Sequence, residues 1–583
     1  MIHTSVDGSM SGLQRRIEVA RGIRPADLLL RGGSVVNVLT GEVYRTNVAI
    51  SGDVIAGVGD YYRDGIEIQD VEGLYLLPGL IDAHVHIESS MLSVPEYARA
   101  VLPRGTTSVI CDPHEIANVS GLNGIKYLFR SSRNIPLNLF VMASSCVPST
   151  QFETSGASIS PREIEEMLQW EGVIGLAEVM NVPGVLNGSE SSLGKLLSAQ
   201  KKGYPIDGHA PFLSGKDLNA YIGAGVRSDH EVTSREEAIE KIRLGMYLMI
   251  REGSVARNME SLLPVVNTST YRRCMFVTDD AHPRDLLNRG HLDHILRKAV
   301  SLGMDPVMAI SMVTINPARI FMRNDLGAIA PGYHADIVAV NNLEDFKVKS
   351  VFKDGQEVVR DGKVAFSITS VEDDLIDNSI RIKDFSPERF RIRINGRKIR
   401  VIELIRGQIY TRHVIEDVNV GEDREVKAEP SRDLLKIAVI ERHNATGNIG
   451  IGFVRGFGLK AGAIASSVSH DSHNVIVVGT NDMDMFKAVK EIIRLGGGHV
   501  ITSRGEVLGS MPLPIAGLLS NKSLEDVVKE EDMLLTVARG LGVLPLSPFI
   551  KLSFLALPVI PELKITDKGL FDVNKFEIVG IEP

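Results

Sequence analysis

Cysteine is scarce in this chain, with three residues, Cys111, Cys146 and Cys274, spread over 583 positions. No two of them form a Cys-x-x-Cys pair. This spacing excludes a disulfide framework and a zinc site built from thiolates, and it favours a reducing compartment.

Long apolar runs and an excess of positive charge are also absent. No stretch approaches the roughly 18 apolar residues of a membrane-spanning helix. Residues 1–24 are polar with scattered arginines and lack the apolar core of a signal peptide. The net charge of -9 gives no reason to expect nucleic acid or an anionic membrane as the main partner. We therefore expect a cytoplasmic protein.

What is present is a repeating pattern of strands and helices in a chain of globular composition, 44% hydrophobic and 23% charged. In the central part, short apolar strands alternate with helical segments, which is typical of a parallel α/β sheet. The predicted strands end near His84, Asp112, Ser144, Glu178, His209, Asp229, Arg251 and Asp279. Eight βα units predict a (β/α)8 TIM-like barrel, whose active site lies at the carboxyl ends of the strands.

The segments before and after the predicted barrel have a different sequence pattern. Short strands separated by Gly- and Asp-rich turns precede it and return after it, which indicates one small β domain built from two pieces. Mixed strands and helices follow. The predicted domains are the N-terminal part of a β-sandwich (1–76), the barrel (77–325), the returning β part (326–382) and a C-terminal α+β domain (383–583).

Residues typical of metal sites collect at the predicted strand ends. His84 and His86 are two apart in a strand, so their side chains project from the same face. The others are Glu178, His209, His230 and Asp279. Any one of these alone is more often a structural residue, but together they could hold two divalent cations, with Glu178 as the bridge. Imidazole and carboxylate ligands without thiolate suit Mn, Fe or Zn.

Several motifs resemble known families. The run Pro78-Gly-Leu-Ile-Asp-Ala-His84-Val-His86 and the later Asn316-Pro-Ala-Arg are similar to the amidohydrolase superfamily, over roughly residues 27–365. Within that superfamily, five motifs of this chain resemble the adenine deaminase branch. They are Asp112-Pro-His-Glu115, His209-Ala-Pro, Ser228-Asp-His230-Glu, Thr278-Asp-Asp-Ala-His282 and Ser469-His-Asp-Ser-His-Asn474. The resemblance therefore spans nearly the whole chain.

This resemblance implies a reaction and a cofactor. It implies hydrolytic deamination of adenine to hypoxanthine and ammonia, in purine salvage or adenine catabolism, and it favours Mn(II) or Fe(II) with Zn(II) possible. Many superfamily members bridge their metals with a carboxylated lysine, whereas Glu178 stands at that place here. The single-zinc deaminase chemistry is excluded, because His86-Ile-Glu88 has no Cys-x-x-Cys beside it.

The resemblance also implies catalytic roles. Asp279 would take the proton of the attacking hydroxide and pass it to the leaving amine. Glu115 is our candidate donor to a ring nitrogen, for which its pKa would have to be raised; the alternative is a carboxylate that stabilises a helix N-terminus. Strand alternation should let only one of Asp279 and Asp280 face inward, and we predict Asp279.

Other residues carry weaker predictions. Asp112, His114 and His282 are candidates for substrate contact or for support of the ligands. His470 and His473 could complete the site from above, bind a separate metal, or lie in a solvated loop.

Two rival functions stay open at this point. One is another C–N hydrolase acting on a cyclic amide or a different amino-heterocycle, and the other is a non-catalytic barrel that serves as a scaffold. The expected partners are adenine and water, and a homodimer or higher homo-oligomer is the commonest state for such a protein.

Overall fold

The computed structural model describes residues 9–368, 373, 376–377, 379–405, 408 and 410–583. Its centre is a ring of eight parallel strands. These are β1 Leu80–His86, β2 Thr106–Cys111, β3 Asn138–Ala143, β4 Val173–Val179, β5 Ile206–Gly208, β6 Ser228–Asp229, β7 Tyr247–Arg251 and β8 Cys274–Val277.

Two contacts close the ring. The backbone N–H of Arg227 donates to the carbonyl of Ile206 at 3.0 Å, which joins β6 to β5. Beyond β8 the short strand Asp279–Asp280 pairs with the end of β1, with Asp279 opposite Val85. The predicted barrel is therefore confirmed, and each predicted strand end lies within two residues of the observed end.

Helices cover the outside of the barrel. Those that follow the strands are Val94–Val101, His114–Ser131, Pro161–Met167, Val182–Leu186, Glu190–Lys202, Gly215–Gly223, Arg235–Arg243, Met259–Leu262, Pro283–Asn288, Leu292–Ser301, Pro306–Ser311 and Ile315–Ile320. Two differ from the sequence pattern, which predicts helices near 121–132 and 285–302. The helix expected near 121–132 begins at His114 and is interrupted at Gly121, whose φ is 57°. The one expected at 285–302 is split at Gly290, where φ is 108°.

A nine-stranded sheet joins the two flanks of the barrel. Its order is Lys363–Val364, Gln356–Arg360, Val348–Lys353, Ile337–Val340, Tyr75–Pro78, Ala26–Asn37, Glu42–Ser51 and Val54–Val58, with Gly65–Asp70 also beside Ala26–Asn37. The helix Met10–Ala20 precedes it. The antiparallel pair Tyr75–Pro78 and Ile337–Val340 unites the pieces, so the predicted β domain built from both flanks is confirmed.

The sheet also fixes the start of β1. Only Gly79 separates Tyr75–Pro78 from β1, and a side chain there would overlap Thr107 Oγ1 and approach Asp336 Cβ to 2.9 Å. The β domain is thus packed directly against the strand that carries the first histidines.

The C-terminal α+β domain contains an eight-stranded sheet. Its order is Thr411–Asp417, Lys398–Leu404, Ile449–Arg455, Leu435–Ile440, Val475–Gly479, Ala463–Ser466, Gly498–Ser503 and Glu506–Pro512. Smaller sheets pair Ile392–Arg393 with Glu425–Val426 and join Leu563–Thr566, Gly569–Asp572 and Glu577–Val579. Its helices are Asp482–Leu495, Leu524–Gly540 and Pro548–Ser553. Among all the described helices, none is long and apolar enough to cross a membrane.

The C-terminal domain packs onto the carboxyl ends of the barrel strands. Asn474 Nδ2 donates to the Thr154 carbonyl at 2.8 Å, and Thr154 Oγ1 donates to Asp567 at 2.6 Å. One apolar cluster runs through both parts, including Leu92 of the barrel and Leu519 of the C-terminal domain. Because of this packing, the loop at 469–474 lies over the barrel mouth.

Candidate active site

His84 and His86 leave β1 side by side, and both are buried. Their outer nitrogens are occupied: His84 Nδ1 lies 2.8 Å from Asp207 Oδ2, and His86 Nδ1 lies 3.0 Å from the Asp112 carbonyl. A carbonyl can only accept, so Nδ1 of His86 donates. The two Nε2 atoms are therefore left with lone pairs that point into the barrel, which is the usual arrangement of metal-binding histidines.

Asp279 faces these two imidazoles. Its Oδ1 lies 3.4 Å from His84 Nε2 and 3.2 Å from His86 Nε2. Its φ is 60°, in the left-handed region, so the alternation of side chains is lost at this point. Asp280 consequently lines the same cavity, and the prediction that only one of the two carboxylates faces inward is wrong.

Glu178 of β4 connects the two halves of the ligand set. Its Oε1 lies 3.5 Å from His86 Nε2, while its Oε2 lies 2.6 Å from His209 Nδ1 and 3.2 Å from His230 Nε2. The His230 ring also stacks on His84 at 4.1 Å between centroids. Oε1 of Glu178 therefore faces His86, and Oε2 faces His209 and His230. This is the arrangement expected of a carboxylate that bridges two metal ions.

The six residues fit divalent cations. His84 Nε2 is buried and has no hydrogen-bond partner among the described residues, although a carboxylate oxygen stands 3.4 Å away. Two acceptors that face each other need a proton or a cation between them. Burial alone would lower the pKa of His86, but the hydrogen bond with Asp279 raises it to about 10. The buried carboxylates thus favour a proton or a cation between them and the imidazoles.

Two charged residues here were not predicted as site residues. Arg251 ends β7 and donates from Nη1 to Asp279 Oδ2 at 2.9 Å and from Nη2 to Glu231 Oε2 at 2.9 Å. Glu231 Oε1 in turn lies 3.7 Å from His209 Nδ1. The available signals were the position of Arg251 at a strand end and that of Glu231 directly after His230.

The C-terminal domain contributes to the site through Glu115. His470 Nδ1 lies 3.3 Å from Glu115 Oε1, and His473 Nε2 lies 3.8 Å from Glu115 Oε2. His473 is buried and His470 nearly so, so the solvated-loop alternative is wrong. His473 Nδ1 accepts from the Ser469 backbone N–H at 3.1 Å, which leaves the ring proton on Nε2, facing Glu115. One ligand atom each of Glu115, His470 and His473 lies within 4.8 Å of the others, so a separate metal at these residues stays a prediction.

The pKa of Glu115 departs from the expectation. Burial alone would raise it, but the charge of His470 and the hydrogen bond with His470 hold this pKa below its usual range. The expected raised pKa is not found. Burial would likewise lower the pKa of His470, whereas Glu115 raises it to about 9. The proton of this pair thus rests on the imidazole.

The remaining predicted residues differ in how close they lie to the six candidate ligands. Asp112 accepts from the backbone N–H of His114 at 3.1 Å and from that of Glu178 at 3.2 Å, so it holds the β2 and β4 ends together. His114 Nδ1 lies 3.4 Å from Glu178 Oε1. His282 lies outside this group and lines a smaller neighbouring cavity.

A cavity of about 290 Å³ opens above the ligands. The barrel contributes Met180 and Phe212 to its walls, and the C-terminal domain contributes Tyr410, Phe554 and Leu557. Its floor is polar and its walls are apolar or aromatic, which is typical of a site for a small planar ligand.

Comparisons with known proteins agree over the whole chain. The amidohydrolase family matches residues 75–358, and the adenine deaminase C-terminal domain matches residues 408–577. Adenine deaminase 2 of Carboxydothermus hydrogenoformans is 49% identical over 98% of this chain and 100% of its own length. An adenine deaminase of Dehalococcoides mccartyi is 49% identical over the same shares of both chains. The chain belongs to the adenine deaminase family.

Membership of the adenine deaminase family confirms the resemblance inferred from the motifs and makes this chain an amidohydrolase-type hydrolase of C–N bonds. A relative from Methanothrix thermoacetophila is again 49% identical, over 96% of this chain and 98% of its own. The two matching regions contain the six predicted metal ligands and the loop with His470 and His473.

Proposed function

We propose that this adenine deaminase family member converts adenine and water to hypoxanthine and ammonia at a two-metal centre, in purine salvage. The observation that carries the proposal is the clustering of six candidate ligands, Glu178 among them, beneath a cavity roofed by the C-terminal domain. The names of relatives that match over nearly their full length support the choice of adenine.

The metal assignment follows from the donor set. His84, His86 and Asp279 would hold one cation and His209 and His230 the other, with Glu178 shared between them. We propose Mn(II) or Fe(II), with Zn(II) also compatible with these ligands. When bound, such a pair lowers the pKa of a water and so supplies hydroxide near neutral pH.

The protein's own groups move the protons. Asp279 takes the proton of the attacking hydroxide and delivers it to the amine nitrogen as the bond to C6 breaks, so that ammonia leaves. Arg251, 2.9 Å from Asp279 Oδ2, holds the carboxylate in position. The ring nitrogen receives its proton from the Glu115–His470 pair, in which His470 holds the proton and both side chains line the cavity.

The test is a substrate panel. Metal-loaded protein is incubated with adenine, adenosine, guanine, cytosine and dihydroorotate, and ammonia release and ring opening are followed. We expect turnover of adenine. Activity on another compound with none on adenine would overturn the substrate and leave the class intact. The cytoplasmic location and the homo-oligomeric state stay predictions.

A further inference from the structure

A second, smaller cavity adjoins the active site on the side of Asp280. It measures about 40 Å³ and shares Glu115, Val255, Asp280, His470 and Phe554 with the main cavity. We call it the side chamber; its further polar lining residues are Glu88, Ser89, His282, His499, Glu531 and Ser553. Within the described part of the chain, no lysine or arginine lines it.

The side chamber contains buried polar atoms that the protein leaves unpaired. Glu88 is 3% exposed; its Oε1 accepts from the Ile116 backbone N–H at 3.1 Å, whereas no described residue bonds its Oε2. His499 Nδ1 and Glu531 Oε2 are also buried and have no hydrogen-bond partner among the described residues. Arg284 Nε lies 4.0 Å from Glu531 Oε2. Because unpaired buried polar atoms are costly, these atoms point to a ligand.

The size and charge of the side chamber select that ligand. A water molecule needs roughly 10–15 Å³ of such space, so the chamber holds one or a few small molecules but no purine. Four carboxyl groups line it, those of Glu88, Glu115, Asp280 and Glu531. Glu115 is paired with His470 and Glu531 lies 4.0 Å from Arg284, whereas Glu88 and Asp280 have no ion-pair partner among the described residues. The rings of Phe549 and Phe554 complete the wall, and aromatic faces attract cations. A small cation with several N–H donors satisfies these conditions.

We propose that the side chamber binds the departing ammonia as ammonium while hypoxanthine still fills the main cavity. This inference rests on the proposed deamination. The bond from C6 to nitrogen breaks, ammonia leaves with the proton that Asp279 delivers, and it takes one further proton from solvent to become ammonium. The chamber adjoins the active site at Asp280, which directly follows Asp279, the residue that delivers the proton to the departing amine.

The experiment uses Glu531→Gln, which removes one chamber carboxylate and touches none of the six ligands. Glu530→Gln on the same helix is the matched control, because Glu530 is bonded to Lys522 and lies outside the chamber. Initial rates of hypoxanthine formation are measured with added ammonium chloride, against sodium chloride at equal pH and ionic strength. We expect ammonium to inhibit wild type and control alike, and the inhibition constant to rise about tenfold in Glu531→Gln. Inhibition by hypoxanthine should not change.

A second readout needs no turnover. Melting of the metal-loaded protein is compared in ammonium chloride and sodium chloride, and we expect an ammonium-specific stabilisation that Glu531→Gln loses. If the enzyme is active but wild type and Glu531→Gln respond equally to ammonium, the proposal that the side chamber binds ammonium is wrong and the proposed deamination is not contradicted. An inactive protein whose ammonium response depends on Glu531 would overturn the deamination and leave the cation site standing.

Discussion

At the scale of single residues, Glu178 carries the most weight, because its two oxygens face different halves of the ligand set. Glu178→Gln replaces one of those oxygens by an amide that cannot bind a cation. Loss of groups that merely support metal ligands costs 10–100-fold, so we expect kcat to fall more than about 100-fold. Metal analysis should show fewer than two metals per chain. Full activity with two metals would mean that another residue is the bridge.

Substitution of the neighbouring Asp279 and Asp280 distinguishes a role in proton transfer from a role in lining the cavity. Asn adopts the left-handed backbone of Asp279 readily, so Asp279→Asn should keep the fold. We expect it to lose at least about 100-fold in kcat, the range of general acid–base catalysis. Asp280→Asn is the matched control and should lose less than about tenfold, because Asp280 accepts from Ser89 at 2.5 Å and contacts no ligand imidazole. Equal losses in steady-state kinetics would contradict the assignment of the base.

These residues also mark what the sequence could predict. The pairing of His84 with His86 follows from alternation in a strand, and the other ligands follow from strand ends. The direction of Asp280 could not be predicted, since it depends on one backbone angle at Asp279. The pairing of Arg251 with Glu231 depends on the packing of β6 beside β7, which no local pattern encodes.

At the scale of elements, the loop at 469–474 brings His470 to Glu115 across the boundary between two domains. We expect His470→Asn to lower kcat about 10–100-fold while two metals stay bound and the KM for adenine changes little. A purely structural role would instead lower the melting temperature and leave kcat of the folded fraction unchanged. Metal analysis, melting and steady-state kinetics on one preparation distinguish these outcomes.

The small β domain contains a pH-dependent contact. His334 Nδ1 lies 2.9 Å from Asp354 Oδ1, and its Nε2 lies 3.5 Å from Asp325 Oδ2. Burial alone would lower the pKa of His334, but these hydrogen bonds raise it to about 9. Stabilisation by a group with a raised pKa is complete below its ordinary pKa and is lost as the pH rises through 9.

We therefore expect wild type to lose on the order of 2 kcal/mol of stability between pH 6 and pH 10 from this residue. His334→Gln should show a correspondingly flatter melting profile over that interval. Identical pH dependence of the melting temperature in the two proteins would contradict this role of His334.

Elements also differed in how well the sequence predicted them. The barrel strands are apolar runs of ordinary length, and alternation with helices located them. The pattern near 121–132 gave only the second part of the helix that begins at His114, because Gly121 interrupts it; Glu115 lies in its first turn, as the alternative for this residue predicted. The reach of the loop at 469–474 was left open, because it depends on contacts such as Asn474 to Thr154, some 300 positions apart.

At the scale of the whole molecule, the proposed metal centre would also join several elements of the fold. Its ligands come from β1, β4 and the ends of β5, β6 and β8, and its roof comes from the C-terminal domain. Without cations, the buried carboxylates of Glu178 and Asp279 are balanced by protonated imidazoles, of which His209 has its pKa raised to about 9 against the effect of burial. Metal should therefore stabilise the fold and not only the reaction.

Removal of metal tests this directly. Dialysis against a chelator should abolish activity and lower the melting temperature, because a ligand present at about 100 times its Kd stabilises by about 2.7 kcal/mol. Manganese should restore both, and the restored activity should require two equivalents per chain, since Glu178 is shared between the two halves. Magnesium is the control, because it prefers oxygen ligands to imidazole. Full activity after metal removal, with an unchanged melting temperature, would refute the metal centre.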